Sequence, residues 1–267
     1  MNQRELVEYF EHLRYQIVCI PSDGSSVLPR SVGSGFMLDY KGHTFFMTAD
    51  HVVNTHNNGV RHIETGNVYI STNQIAWTPQ GQWNTVLIPV GDFIYFDEFR
   101  VDEQTGAFTT CPLFDGTFSM LNEWQVNAVY VTCEVKEYGA NVNMGEQKVH
   151  MPESSISLPK AEDEYCVFGR VRPNLQLVNN VQVLNTQKIF HDGLKYEREE
   201  DNYYVLKCPY PVVVADWKGL SGSAIIDHEG GLIGIACKVS SFTDEIWVKK
   251  IQRMLPLMDA AIQSENI

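Results

Sequence analysis

Short runs of β-branched and aromatic residues, separated by Gly, Asn, Asp or Pro, dominate the chain from about residue 15 to residue 240. Runs such as YQIVCI, HTFFMT, YYVLKC and GLIGIACKV are typical of strands that end at turns. Strands this short and this frequent predict an all-β barrel or sandwich. The length of 267 residues is enough for two compact β-domains that share an interface.

The two ends and the middle of the chain have a different pattern. Residues 3–14 repeat apolar side chains at helical spacing, which predicts a short amphipathic helix. Residues 245–263 predict a second helix, which Pro256 kinks or divides. The polar stretch 136–164 predicts a linker between two β halves.

Charge and cysteine usage exclude several classes of protein. The formal net charge of -13 argues against nucleic-acid binding, because phosphates need a basic face. No two of the six cysteines are close in sequence, so no metal-binding or redox cysteine pair is expected. The N-terminus also lacks an apolar signal segment, and together these features predict a reducing, cytoplasmic location. No apolar window is long enough to predict a membrane span.

The segment GSGFMLDYKGHTFFMTADHVV (33–53) carries the first candidate for chemistry. It predicts a hairpin that turns at Lys41-Gly42 and ends at His51, where a strand leaves the core. That position suits a general base, although a histidine at a strand end is more often structural. Asp50, beside it, is expected to face solvent.

The segment WKGLSGSAIIDHEGGLIGIACKV (217–239) carries the second candidate. Gly219 and Gly222 bracket Ser221, and glycine permits backbone angles that other residues avoid. The bracket can turn the amides of Gly219 and Ser221 toward a developing oxyanion. An ordinary glycine turn before a hairpin explains the same residues equally well.

Together, the two segments resemble the trypsin-like serine peptidase superfamily, especially its bacterial HtrA-like and glutamyl-endopeptidase-like members. The resemblance lies in GSGF (33–36), TADHV (48–52), GLSGS (219–223) and the hairpin after it, in matching order. It implies two six-stranded Greek-key barrels with short terminal helices and an active site between the barrels. The implied organisation is an N-terminal helix at 1–14, a first barrel at 15–140, a linker at 141–160, a second barrel at 161–243, and a C-terminal helix and tail at 244–267.

The resemblance also implies a catalytic triad in which Ser221 is the nucleophile and His51 the base. The third member is an Asp at the start of the last strand of the first barrel. Asp92, in DFIYF, fits that setting and is the predicted residue. The later run QVNAVYVTCEV (125–135) also resembles a last strand, so Asp115, Glu123 and Asn127 remain alternatives.

The substrate pocket implied by the resemblance involves four residues. Ala215 lies six residues before Ser221, and the neighbouring wall comes from Cys237, Lys238 and Val239. Lys238 can favour an acidic substrate side chain, but lysines usually extend to solvent. No cofactor is expected. No metal site is expected either, because the histidines at 51, 56 and 62 lack matching ligands.

These features predict a serine endopeptidase that acts on protein or peptide substrates. The α/β-hydrolases are excluded, because their nucleophile motif needs a glycine where Ser223 stands. The alternative is a trypsin-like fold that is silent, or gated by a partner, and acts as a binding or regulatory module. The terminal helices and the segment 98–124 are its candidate docking surfaces.

Overall fold

The computed structural model describes most of the chain, with gaps concentrated in the first half. The described residues are 1–20, 29, 31–57, 60–62, 67–71, 75–77, 87–91, 93–95, 99–101, 105, 108–110, 114–127, 129–131, 134–179 and 181–265.

Strands make up most of the regular structure in these residues. In chain order they are β1 (Arg14–Ile20), β2 (Ser31–Tyr40), β3 (His43–Thr48), β4 (Thr55–Asn57), β5 (Val60–His62), β6 (Asn67–Ser71), β7 (Ile75–Trp77), β8 (Ile88–Val90), β9 (Phe99–Val101), β10 (Phe108–Thr110), β11 (Thr117–Leu121), β12 (Met151–Pro152), β13 (Glu164–Val178), β14 (Val181–Glu200), β15 (Tyr203–Lys207), β16 (Ala224–Asp227), β17 (Leu232–Ser240) and β18 (Glu245–Lys250). The α-helices are α1 (Gln3–Leu13), α2 (Asp50–Val53), α3 (Glu123–Asn127) and α4 (Leu255–Glu265). Single 3₁₀ turns lie at Glu137–Gly139, Glu153–Ser155, Val214–Asp216 and Ile251–Arg253.

The first large sheet runs in the order β11-β3-β2-β1-β6-β8, with β12 parallel beside β2. The segment after β8 bonds back to β11, since Ile94 bridges Phe118 and Ser119 Oγ donates to the carbonyl of Gly91. These contacts close the six strands into a ring. The turn predicted at Lys41-Gly42 is confirmed, with both residues at positive φ.

The second sheet forms a closed ring as well. Its order is β13-β16-β17-β18-β15-β14, and β13 also pairs with β14. A seventh strand, β7, comes from the first half of the chain and pairs with β14, with Ala76 opposite Val183. The predicted all-β plan of two six-stranded barrels is therefore confirmed, and β7 and β12 are additions to it.

Helix α1 confirms the prediction for the N-terminus. Asn2 accepts from the amide of Glu5, and the Glu5 carboxylate accepts from the amide of Asn2, which satisfies two amides that a helix start leaves unpaired. The apolar side of α1 is buried: Leu6 and Phe10 are at most 1% exposed. The Phe10 ring lies 6.1 Å from the ring of Phe168, so α1 packs on the second barrel. Among the described residues, no helix is long and apolar enough to cross a membrane.

The C-terminal prediction was wrong in its first part. Residues 245–250 form β18, which lies between β17 and β15. Both faces of this strand are covered: Ile246 and Val248 on one face are buried, and Trp247 on the other face is only half-exposed. The helix begins only at Leu255. Pro256 does not kink this helix, because it lies in the first turn, where a backbone N–H would have no acceptor within the helix.

Two expectations for the middle of the chain also change. Where the structure describes it (125–127, 129–131 and 134–135), the run 125–135 has no strand: it begins in α3 and adds isolated bridges, one of them between Val135 and Val142. The linker range packs on α1, where the amide of Val149 donates to the carbonyl of His12 at 3.0 Å. Lys148, only 5% exposed, donates to the carbonyl of Arg14 at 2.7 Å.

Candidate active site

His51 lies in α2, one turn of helix that begins immediately after β3 leaves the first barrel. Its Nδ1 lies 2.9 Å from Oδ1 and 2.8 Å from Oδ2 of Asp115. The backbone amide of His51 also donates to Oδ1 of Asp115, at 3.0 Å. One carboxylate therefore fixes both the ring and the backbone of this histidine.

Asp115 stands in the short segment that leads into β11, and its neighbours are tightly packed. Phe114 is 1% exposed, and the Lys249 ammonium lies 3.4 Å from the centre of its ring. A Cβ on Gly116 would come within 3.1 Å of the Phe114 ring and 3.2 Å of Lys249 Cγ. The carbonyl of Asp115 accepts from Cys237 Sγ of the second barrel, at 3.0 Å. This packing leaves the carboxylate little freedom to move.

The structure thus brings His51 together with one of the alternatives for the third residue. β11 is the last strand of the first barrel, and Asp115 stands just before it, where the resemblance requires the acid. Glu123 and Asn127 are exposed on α3. Asp92 lies outside the described residues. The false strand at 125–135 hid this arrangement, because it shifted the expected end of the barrel by one element.

The surroundings of His51 determine its protonation. Burial is the largest influence and lowers the pKa of the imidazole, because it penalises the charged ring. The charge of Asp115, its hydrogen bond and the charge of Asp50 act in the opposite direction, and their sum raises the pKa above 6.5. Asp50 is fully buried and bonded by Asn54 Nδ2 at 2.9 Å, so the expectation that it faces solvent was wrong.

The loop that carries Ser221 has the backbone that its glycines predict. Gly219 has φ of 115° and Gly222 has φ of 93°, in the region that favours glycine. Between residues 218 and 223, four amides donate to backbone carbonyls: Lys218 to Val214, Leu220 to Trp217, Gly222 to Ala236 and Ser223 to Leu220. The amides of Gly219 and Ser221 have no acceptor among the described residues. They are the two amides expected to face an oxyanion.

Ser34 joins this loop to the first barrel. Its amide donates to the carbonyl of Ser221 at 2.8 Å, and its Oγ donates to the carbonyl of Gly219 at 2.8 Å. Its own carbonyl accepts from Thr48 Oγ1 at 2.8 Å, three residues before His51. The sequence motif GSGF contained Ser34, but motif matching assigned it no role. Its position between the segments that carry His51 and Ser221 indicates that role.

Two further contacts place Ser221 beside the His51–Asp115 pair. A Cβ on Gly33 would lie 2.5 Å from Val52 Cγ1, the residue after His51, and 3.2 Å from the carbonyl oxygen of Ser221. Cys237 contacts both sides, since its Sγ donates to Asp115 and its carbonyl accepts from Ser221 Oγ at 3.4 Å. Ser221 thus shares Cys237 with Asp115, and shares Gly33 with Val52, the residue after His51.

A cavity of about 250 Å³ opens beside Ser221. Its walls are mostly apolar and include Trp217, Leu220, Ala236, Val239 and Ile246. Of the four predicted pocket residues, Cys237, Lys238 and Val239 line this cavity. Ala215 does not, since it is exposed on a 3₁₀ turn whose Val214 takes part in the lining.

Lys238 is held on the aromatic surface behind the cavity. Its ammonium lies 4.2 Å from the centre of the Trp247 ring and 4.7 Å from that of Tyr203. Attraction between the cation and the two ring faces fixes the side chain there. The ammonium of Lys238 therefore lies on two rings that are not among the residues that line the cavity.

Replacing Gly222 by alanine is expected to disrupt this site. The new Cβ would lie 1.9 Å from the carbonyl oxygen of Ser34, and the residue keeps its positive φ. The strain and the overlap together destabilise the fold by about 3 kcal/mol. Gly42→Ala is the matched control, because its φ of 82° carries the same strain with nothing within 4 Å. Equal urea denaturation midpoints for the two variants would contradict the packing described here.

Comparison with known proteins places the fold. No protein-family model and no curated protein sequence matches the chain. Among solved structures, a serine endoprotease from Yersinia pestis matches with a TM-score of 0.50 and 13% identity, over 98% of this chain and 67% of that one. Human heparin binding protein matches with a TM-score of 0.50 and 11% identity, over 96% of this chain and 93% of that one. The chain has the two-barrel fold of the trypsin-like serine proteases.

Proposed function

We propose that this protein is a serine endopeptidase with Ser221 as nucleophile, His51 as general base and Asp115 as the residue that orients His51. The observation that carries the proposal is the bidentate contact of Asp115 with His51 Nδ1, beside a serine loop in which two amides have no acceptor among the described residues. Asp115 takes the role that the sequence alone gave to Asp92.

The contact with Asp115 determines which nitrogen of His51 is basic. Because Nδ1 faces two carboxylate oxygens, it carries the proton, and the lone pair of Nε2 is left to accept another. In the proposed reaction, the Ser221 hydroxyl leaves the carbonyl of Cys237 and donates its proton to Nε2 as Oγ attacks the peptide carbonyl. The negative charge of Asp115 then stabilises the imidazolium that forms.

The developing oxyanion needs donors that are already in place. The amides of Gly219 and Ser221 fit this requirement, because their backbone is held by Ser34 and by the positive φ of Gly219. Collapse of the intermediate breaks the C–N bond, and His51 returns its proton to the leaving amine. Water then hydrolyses the acyl-serine by the same steps.

Covalent labelling tests whether Ser221 is activated. The purified chain is expected to react with a fluorophosphonate, giving one adduct on Ser221 by peptide mass spectrometry. Ser221→Ala and His51→Ala lose the adduct, whereas Ser241→Ala, in an exposed turn, keeps it. An unlabelled but folded chain would contradict the proposal in favour of a silent or partner-gated module.

Replacing Asp115 by asparagine tests the assignment of the third residue. Turnover is expected to fall by about 10³–10⁴-fold, because an amide leaves His51 in the wrong tautomer. Asp92→Asn and Glu123→Gln are the controls and are expected to retain turnover. Loss of activity in Asp92→Asn with retention in Asp115→Asn would return the role to Asp92.

The pH profile tests the electrostatics of the same pair. His51 acts as a base only when neutral, and its pKa is raised above 6.5, so activity falls on the acid side with a midpoint above that value. In Asp115→Asn the attraction and the hydrogen bond disappear while burial remains, so the midpoint of the residual activity moves to lower pH. The dependence of kcat/KM on pH measures both values, and an unchanged midpoint would contradict the pairing.

The cavity predicts which substrate side chain precedes the cleaved bond. Its mostly apolar walls favour an apolar residue, since a charge placed among them loses hydration, and the two lysines of the lining, Lys218 and Lys238, are both exposed to solvent. Peptides with Leu or Phe at that position are expected to exceed those with Glu or Arg in kcat/KM by at least about 10-fold. Lys238→Ala should leave the ranking unchanged, and a preference for Glu that this variant loses would assign recognition to Lys238.

A further inference from the structure

A second cluster of reactive side chains lies at another edge of the second barrel. Cys166 is on β13, Asp192 is on β14, and His228 is in the turn between β16 and β17. The sulfur, a carboxylate oxygen and a ring nitrogen all lie within 4.8 Å of one another. His228 Nε2 is 2.7 Å from Asp192 Oδ1. The residues are far apart in sequence, so no spacing motif could indicate them.

The cluster is closed on one side and open on the other. Cys166 is fully buried, and its thiol makes one long contact, to the carbonyl of Ile226 at 3.6 Å. The side chains of Asp192 and His228 are 35% and 36% exposed. An ion could therefore reach the sulfur from solvent through the two polar side chains.

The surroundings of the cluster attract cations. His228 also lines a cavity of about 280 Å³. Five carboxylates share that lining with one lysine, Lys195; they are Glu162, Asp163, Glu164, Asp227 and Glu229. The turn that carries His228 is fixed, because Asp227 Oδ1 accepts from the amides of Glu229 at 2.8 Å and Gly231 at 2.7 Å.

We propose that Cys166, Asp192 and His228 bind one divalent transition-metal ion, with Zn²⁺ as the best-matched metal. Thiolate, imidazole and carboxylate are the ligands that zinc combines in proteins, whereas Mg²⁺ and Ca²⁺ prefer oxygen alone. Water or a carboxylate of the acidic cavity supplies the fourth ligand. Binding replaces the proton of the thiol, which is released to solvent, and leaves the proton of a neutral His228 ring on the nitrogen that does not bind the ion.

Metal binding by the full-length chain, without a polyhistidine tag, tests the site. Zn²⁺ is expected to bind in calorimetry with one equivalent that raises the melting temperature, while Mg²⁺ has no effect. Co²⁺ is expected to give a thiolate charge-transfer band and the intense visible bands of a tetrahedral site. Cys166→Ser, Asp192→Asn and His228→Gln should each weaken Zn²⁺ binding by at least about 100-fold.

Two controls separate this site from adventitious binding. Cys208→Ser removes another buried cysteine, and His150→Gln removes another His–Asp pair, with Asp39, that belongs to no such three-ligand cluster among the described residues. Both variants should bind Zn²⁺ like the parent protein. If Cys166→Ser fails to fold, the half-exposed His228→Gln decides the question.

Absence of Zn²⁺ binding, retention of binding by all three ligand variants, or a Co²⁺ spectrum without the thiolate band would each overturn the proposal. This test does not depend on the proposed peptidase activity. Fluorophosphonate labelling of Ser221 is measured on the same samples, with and without a chelator, so failure of the metal site can be told from failure of the proposed peptidase.

Discussion

Ser34 makes the contacts on which the candidate active site depends. Its amide and hydroxyl bond to the carbonyls of Ser221 and Gly219, and its carbonyl accepts from Thr48 on the strand that leads to His51. The side chains of Ser34 and Thr48 are buried, so water does not compete for the hydrogen bonds that they make. Ser34 of the first barrel thereby holds the Ser221 loop of the second barrel in place.

The electrostatics of the site follow from the same arrangement. The chain carries a net charge of -13. Within the site, the Asp115 carboxylate is bound by the backbone amide and a ring nitrogen of a single residue, His51. Burial alone would lower the pKa of His51, and the charge and hydrogen bond of Asp115 together with the charge of Asp50 more than offset that effect. The rest of the negative charge lies partly around the acidic cavity of the second barrel, away from the apolar pocket.

What could be predicted from the sequence was local in the chain. The β2–β3 hairpin, the position of His51 and the glycine bracket around Ser221 each depend on a few consecutive residues with strong conformational preferences. The assignment of Asp115 depended instead on which strand closes the first barrel, a property of pairings between distant segments. The segment EIWVKK (245–250) was mistaken for helix for the same reason. Its apolar residues fit both the helical and the strand period, and it forms a strand because it pairs with β15 on one side and β17 on the other.

Strand β13 connects the two sites of the second barrel. It pairs with both β14 and β16 and so closes that barrel, and Cys166 lies where these pairings meet. Three residues further along, Gly169 lies so close to the nucleophile loop that a Cβ would be 2.5 Å from Leu220 Cδ2. β16 runs antiparallel to β13 and connects the same two sites, since it begins just after the Ser221 loop and ends at Asp227, next to His228. A metal ion bound to Cys166, Asp192 and His228 would cross-link the strands that close this barrel. The ion would stabilise the strands that support the Ser221 loop without contacting the atoms of the proposed reaction.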